Sequence, residues 1–188
     1  MEPKRSMTAE EIRGRVARFG DLKPMSTSQD LDWVPQDAMD VIFARDLRPI
    51  IIEQTKNPFG KTAAIYGAAG TTMNVSIMPP GQGPCLHAHD NTYETFVVLD
   101  GTIEFRVGPE GEETVTLGKW DTFSCPPGAY RGFRNAGQEN AVLLTVITGA
   151  VDARDDVCVP PSVGREIDER FGGKVLDAFK NLATFNEE

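Results

Sequence analysis

The chain has 188 residues, 40% of them apolar, and carries 28 acidic against 19 basic side chains for a formal charge of −9 and a pI near 4.8. That length suits one domain with terminal extensions and a real core, and it is short for two full domains. The acidity argues against a clustered basic face for a phosphate backbone, so no nucleic-acid partner is expected.

No apolar run is long enough to span a bilayer, and Met1 to Gly20 is charged where a signal peptide needs an apolar stretch. A soluble cytoplasmic protein without a membrane partner is expected. Cys85, Cys125 and Cys158 are odd in number and widely spaced, which suits reduced thiols better than a disulfide framework or a paired-cysteine zinc site.

In chain order, Thr8 to Phe19 sets Ile12, Val16 and Phe19 at helical spacing, with Thr8 and Glu11 placed for a capping box. Asp21 to Asp40 is broken by Pro24 and Pro35 and reads as an arm across the domain, pinned by Trp33. Short β-prone runs then follow at Val41 to Phe43, Pro49 to Glu53 and Thr62 to Tyr66, with Asn57-Pro58-Phe59-Gly60 as turn chemistry. Further strands are expected at Met73 to Met78, Tyr93 to Leu99, Thr102 to Val107, Glu113 to Leu117, Thr122 to Ser124 and Ala141 to Thr148. Asp100-Gly101 has the chemistry of a tight hairpin. Beyond Val151 the alternation stops, and Ser162 to Phe185 predicts two short helices divided at Gly172-Gly173. The division expected is 1–40 as N-terminal helix and arm, 41–150 as an all-β barrel, and 151–188 as a C-terminal helical extension.

The two histidines of the chain stand one residue apart at His87 and His89, after the turn Pro79 to Pro84. On an extended segment, residues two apart point to the same face, so both imidazoles can converge on one ion. Glu94 begins the next strand, within reach across a short turn. Two neutral imidazoles and a carboxylate form a facial triad that leaves about three positions open on an octahedral metal. His87, His89 and Glu94 are therefore the expected ligands of one divalent ion, Fe(II) being favoured, with Zn, Mn or Ni as alternatives.

Gly81-x5-His87-x-His89-x4-Glu94-x6-Gly101 resembles the first signature of the cupin superfamily at every fixed position. The second signature is met in part, by Trp120-x5-Pro126-x-Gly128-x2-Arg131-x3-Asn135: Trp120 stands where the pattern has a glycine, and Arg131 where it has a fourth, histidine ligand. The resemblance covers Met73 to Thr148. It implies a jelly-roll antiparallel β-barrel, often a homodimer; the short N- and C-terminal helical extensions fall outside the resemblance.

A guanidinium stays protonated and cannot ligate a cation. Arg131 has three possible destinations: clamping a substrate anion that also chelates the metal; pairing with Glu94, with the metal site lost or weakened and the barrel serving as a binding pocket; or pointing to solvent. Tyr93 and Tyr130 flank ligand or motif positions and are candidate proton or hydrogen-bond donors to substrate, with packing as their other reading. Phe96 and Val98 share the alternation of Glu94 and should face inward. A mononuclear centre acting on a small anionic molecule by dioxygenase-type chemistry is expected. The alternatives are a metal-dependent isomerase, lyase or decarboxylase, or a barrel that binds a small molecule without turnover. A proton-transfer residue near the open positions distinguishes the Lewis-acid chemistries.

Overall fold

The computed structural model describes residues 6–25, 31–53, 62–149 and 156–187. The turn at Asn57 to Gly60 and the junction at 150–155 lie outside them. The strands are β1 (Asp46–Ile52), β2 (Ile65–Tyr66), β3 (Thr71–Met78), β4 (Ala88–His89), β5 (Tyr93–Asp100) and β6 (Ile103–Val107). They continue as β7 (Glu113–Leu117), β8 (Thr122–Cys125), β9 (Arg131–Asn135), β10 (Ala141–Thr148), β11 (Val157–Val159) and β12 (Thr184–Phe185).

A six-stranded sheet runs in the order β2-β1-β3-β10-β5-β8, and a second sheet in the order β7-β6-β9. Pairing is antiparallel except between β1 and β2 and between β11 and β12. The two sheets face each other because their alternating apolar residues need a common interior. Phe96, Val98, Leu143 and Met78 from the first meet Ile103, Phe105 and Phe133 from the second in one buried cluster. Phe96, Phe105, Phe123 and Phe133 touch with ring centroids 5.0–6.1 Å apart, in tilted, edge-on and stacked pairs of a kind worth about 0.5–1.5 kcal/mol each beyond their buried area. Phe96 and Val98 thus face inward, as part of this core.

Among the described residues, helices at the ends include α1 (Ala9–Arg13), α2 (Gln36–Ile42), α3 (Pro161–Phe171) and α4 (Gly173–Lys180). The Thr8/Glu11 capping box is present. Yet α1 stops at Gly14, and Ile12, Val16 and Phe19 are exposed, so the helical spacing was not enough to carry the helix to Phe19 without a packing partner. α3 and α4 are the two expected helices, divided by Gly172 at φ 86°. They form a second core with Val34, Ala38, Val159 and Leu182, so the N-terminal arm and the C-terminal extension pack on each other as well as on the barrel. Trp33 stays partly exposed beneath Lys174, whose Nζ lies 4.4 Å from the ring centre.

Two local expectations are corrected. Val41 and Ile42, expected in a strand, end α2, where Ala38 and the partly buried Val41 and Ile42 face the second core; helical burial outweighed their β preference. Asp100-Gly101 is not a hairpin between paired strands, because β5 belongs to one sheet and β6 to the other. The turn carries the chain across the barrel, and Gly101 is required there: its φ is +83°, and an added Cβ would lie 2.8 Å from that of Ala141.

Candidate metal centre

His87 is held by a bridge to Arg131, with His87 N donating to Arg131 O at 3.0 Å and Arg131 N to His87 O at 2.9 Å. Two residues on, His89 lies in β4, which pairs with β11 of the C-terminal extension. Glu94 lies in β5, between Cys125 of β8 and Ile147 of β10. The extended backbone turns both imidazoles to one side, as the spacing predicts. Nε2 of His87 and of His89 are 3.9 and 3.8 Å from Glu94 Oε2.

The donor atoms of His87, His89 and Glu94 lie within 4.8 Å of one another, a grouping that could hold a metal ion. A common centre among atoms about 4 Å apart lies roughly 2.3 Å from each, close to the ordinary metal–nitrogen and metal–oxygen distance. The hydrogen bonds behind the rings favour the same use. His87 Nδ1 meets the Cys85 carbonyl at 2.9 Å, so it carries the proton and leaves the Nε2 lone pair facing Glu94. Burial, then the Arg131 charge, push His87 down to about 3, so its imidazole is neutral and the 3.9 Å approach is between two would-be ligands, not an ion pair.

His89 is fixed by a residue that sequence reasoning missed. Its Nδ1 donates to Asp156 Oδ2 at 2.8 Å. The same oxygen accepts from Thr92 Oγ1 at 2.5 Å, and Oδ1 accepts from Asn91 N at 2.7 Å. Burial alone would raise the Asp156 pKa, but these bonds to His89, Thr92 and Asn91 hold it down at about 2. A carboxylate behind a ligating imidazole fixes its tautomer and strengthens it as a donor.

Arg131 is buried, with 1% of its surface exposed. Of its three possible destinations it takes the pairing with Glu94: Nε donates to Oε2 at 2.9 Å, and Nη2 donates to the same oxygen. Nη1 approaches the carbonyls of His87 and Ala129 at 3.3 and 3.5 Å. Burial works against the Glu94 charge, but Arg131, His89 and His87 outweigh it and hold the carboxylate at about 2. Arg131 does not line the cavity in front of the ligands, so as placed it does not clamp a bound anion; it neutralises Glu94 through Oε2, the carboxylate oxygen that also faces both Nε2 atoms, and leaves Oε1 free of it.

The tyrosines lie elsewhere. Tyr93 is 52% exposed and outside the cavity lining. The Tyr130 hydroxyl accepts from Asn186 Nδ2 at 2.9 Å and lies 3.6 Å from Cys158 Sγ, fastening the C-terminal tail to the barrel. Burial, with Cys158 beside it, pushes that phenol up to about 12, far from a group that releases protons at neutral pH. Gln82 is bonded to α2 and its exit: Nε2 donates to Phe43 O at 2.7 Å, and Oε1 accepts from Arg45 N at 2.9 Å.

The cavity has a volume of ≈ 160 Å³, which takes a molecule of roughly benzene size. His87, His89, Glu94 and Asp156 occupy part of its wall, and Met25, Leu182 and Ala183 from the two extensions, with Phe43 just after α2, help to line it. Cys85 also borders it, but burial pushes the thiol up to about 12, so it offers no thiolate.

Residues 74–147 match the cupin domain family. Among solved structures the chain is similar to an uncharacterized conserved protein with a double-stranded β-helix domain from Klebsiella pneumoniae, at 25% identity over 43% of this chain and 68% of that one (TM-score 0.40). It is also similar to the Cnp3 cupin domain of Schizosaccharomyces pombe, at 20% identity over 55% and 64% of the two chains (TM-score 0.42). A third is a predicted oxalate decarboxylase from Thermotoga maritima, at 23% identity over 42% and 65% (TM-score 0.39). Two of these three are thus matched over less than two thirds of their own length. No curated protein sequence matches the chain. No described helix is long and apolar enough to cross a membrane. The matched segment runs from β3 to β10, contains all three candidate ligands and is a cupin domain.

Proposed function

We propose that this cupin is a metal-dependent enzyme in which His87, His89 and Glu94 hold one divalent ion, Fe(II) being favoured, and act on a small anionic substrate in dioxygenase-type chemistry. In this reading residues 41–150 are the working barrel, and 1–40 and 151–188 are extensions that help enclose it. The observation that carries the reading is the convergence of the donor atoms of His87, His89 and Glu94 to within 4.8 Å of one another. Because the guanidinium already cancels the ligand carboxylate, a divalent ion brings its charge into the cavity opposed, among the described lining residues, by Asp156 behind His89. A small anion is the ligand that balances it. The ion, when bound, supplies open positions for the substrate and for dioxygen. The chain positions its two imidazoles, holds both through Nδ1 so that their Nε2 atoms face Glu94, and encloses the substrate among apolar side chains of the extensions.

The cavity wall favours oxygen chemistry over isomerisation or lysis. Among the described lining residues the titratable groups are the three ligands, Cys85 and Asp156. Cys85 holds its proton, and Asp156 is committed to His89, Thr92 and Asn91, so neither is available as a general acid or base.

The test is elemental analysis of protein purified without added metal or chelator, beside His87→Ala. Near-stoichiometric iron lost in the variant, followed by oxygen uptake with small carboxylates, supports the proposal. Stoichiometric zinc, manganese or nickel without oxygen uptake moves the reading to Lewis-acid chemistry. No metal even after reducing reconstitution leaves a small-molecule-binding barrel.

A further inference from the structure

Away from the ligands, β3 and β10 line the cavity with Thr72, Asn74, Ser76 and Thr145. Ser76 and Thr145 are only 2% and 5% exposed, yet none of the four side chains has a hydrogen-bond partner among the described residues. Buried polar groups are normally paired, and leaving one unmade costs about 1–3 kcal/mol. An interior needed only for packing would carry valine or leucine here, as Leu143 does beside Ser76 on the neighbouring strand. These side chains are not sealed; they open on the cavity.

The register places them relative to the ligands. Ile147 pairs with Glu94, and Thr145 with Phe96, so Thr145 is diagonal to Glu94, roughly 7–8 Å away. Asn74 pairs with Thr145 on the next strand, roughly 4.8 Å further. A polar strip therefore runs from beside the ligands across the sheet. It contains no titratable group, and serine, threonine and asparagine both donate and accept, so it matches a neutral hydroxyl, carbonyl or carboxamide rather than a second charge.

We infer that Asn74, Ser76 and Thr145 form a second recognition element of this cavity, selecting small anions that carry a neutral hydrogen-bonding group at the end remote from the metal-binding head. The inference rests on the reading of His87, His89 and Glu94 as a metal centre that takes an anionic head. It defines the substrate class as a short carboxylate with a polar but uncharged tail.

The test uses two probes of equal size, 4-hydroxybutyrate and pentanoate, titrated calorimetrically into the Zn(II)-loaded full-length protein. The expected result is that 4-hydroxybutyrate binds about ten-fold tighter or more, since a site built to pair a hydroxyl rejects the analogue lacking it. In Thr145→Val, close to isosteric, and separately in Asn74→Leu, that preference should fall towards parity, with zinc content and pentanoate affinity retained. Equal affinity for the two probes in the wild type, with both signals lost in His87→Ala, overturns the polar strip while leaving the metal centre standing. Binding that persists in His87→Ala, or no binding of either probe to the zinc-loaded protein, overturns the anion-on-metal reading and the inference with it.

Discussion

Replacing Asp156 by alanine tests whether the C-terminal extension sets the quality of the metal centre. The carboxylate accepts three hydrogen bonds, from His89 Nδ1 at 2.8 Å, Thr92 Oγ1 at 2.5 Å and Asn91 N at 2.7 Å. Truncation releases the His89 ring about its outer torsion and removes the charge that makes Nε2 a better donor. Loss of such a partner typically costs about 10–100-fold in metal affinity, equivalent to about 1.4–2.7 kcal/mol. Asp156→Asn should fall between wild type and alanine, because it keeps one acceptor oxygen and must turn an NH2 towards either Asn91 N–H or the His89 side. The assay is competition for Zn(II) between each protein and a chromophoric chelator, on samples shown to be folded by circular dichroism. Wild-type zinc affinity in folded Asp156→Ala would refute the argument and reduce Asp156 to a loop fastener.

Three further outcomes follow from the same geometry. Arg131→Met leaves Glu94 buried without its guanidinium, which should destabilise the metal-free protein by about 3–5 kcal/mol in urea unfolding; Zn(II) should restore more stability to the variant than to the wild type, and an equal gain in both would refute the pairing's role. For His87, held down at about 3 by burial and Arg131, the unfolded chain takes up a proton near pH 6.5 while the native state does not. Stability of the metal-free protein should therefore fall as pH drops below about 6.5, by up to about 1.4 kcal/mol per pH unit. Asp156, native at about 2, adds its own loss below about pH 4. Urea midpoints between pH 7 and 4 should flatten in His87→Ala. Trp120 takes φ 73° with its side chain 68% exposed. Trp120→Gly should thus raise stability by about 0.5–1 kcal/mol, the relief of left-handed strain exceeding the added chain entropy; a loss in thermal unfolding would show that the indole makes a stabilising contact.

The ligand triad was legible because its signal is local: two histidines at strand spacing after a turn and a carboxylate opening the next strand. The long strands were equally legible, since β3, β5 and β10 are eight-residue runs rich in β-branched and apolar residues, and β5 is buried at every second position from Glu94 to Val98. β9 was not, because Arg131-Gly132-Phe133-Arg134-Asn135 shows no apolar alternation. It is a strand through its pairing with β6 and the burial of Phe133 and Asn135. Its Asn135 amide donates to Met78 O and Glu139 O, a tertiary arrangement that no local pattern encodes. The direction of Arg131 depended in the same way on where Glu94 came to rest. Tyr130 was singled out for its neighbours in sequence, but its hydroxyl meets Asn186, 56 positions away. Asp156 carried no sequence signal, since it precedes a three-residue strand outside the alternating region.

The contact between His89 and Asp156 spans 67 residues of chain, and this has a consequence for synthesis. At roughly 5–20 residues per second, a ribosome makes His89 several seconds before the residue that fastens it. A nascent chain carrying the matched cupin segment complete to residue 147 already holds all three ligands but presents His89 without its anchor, and so captures metal weakly. Tight loading is thereby deferred until the chain has been made past Asp156, so that a product truncated before that residue but bearing the whole ligand triad should remain a poor competitor for cellular metal.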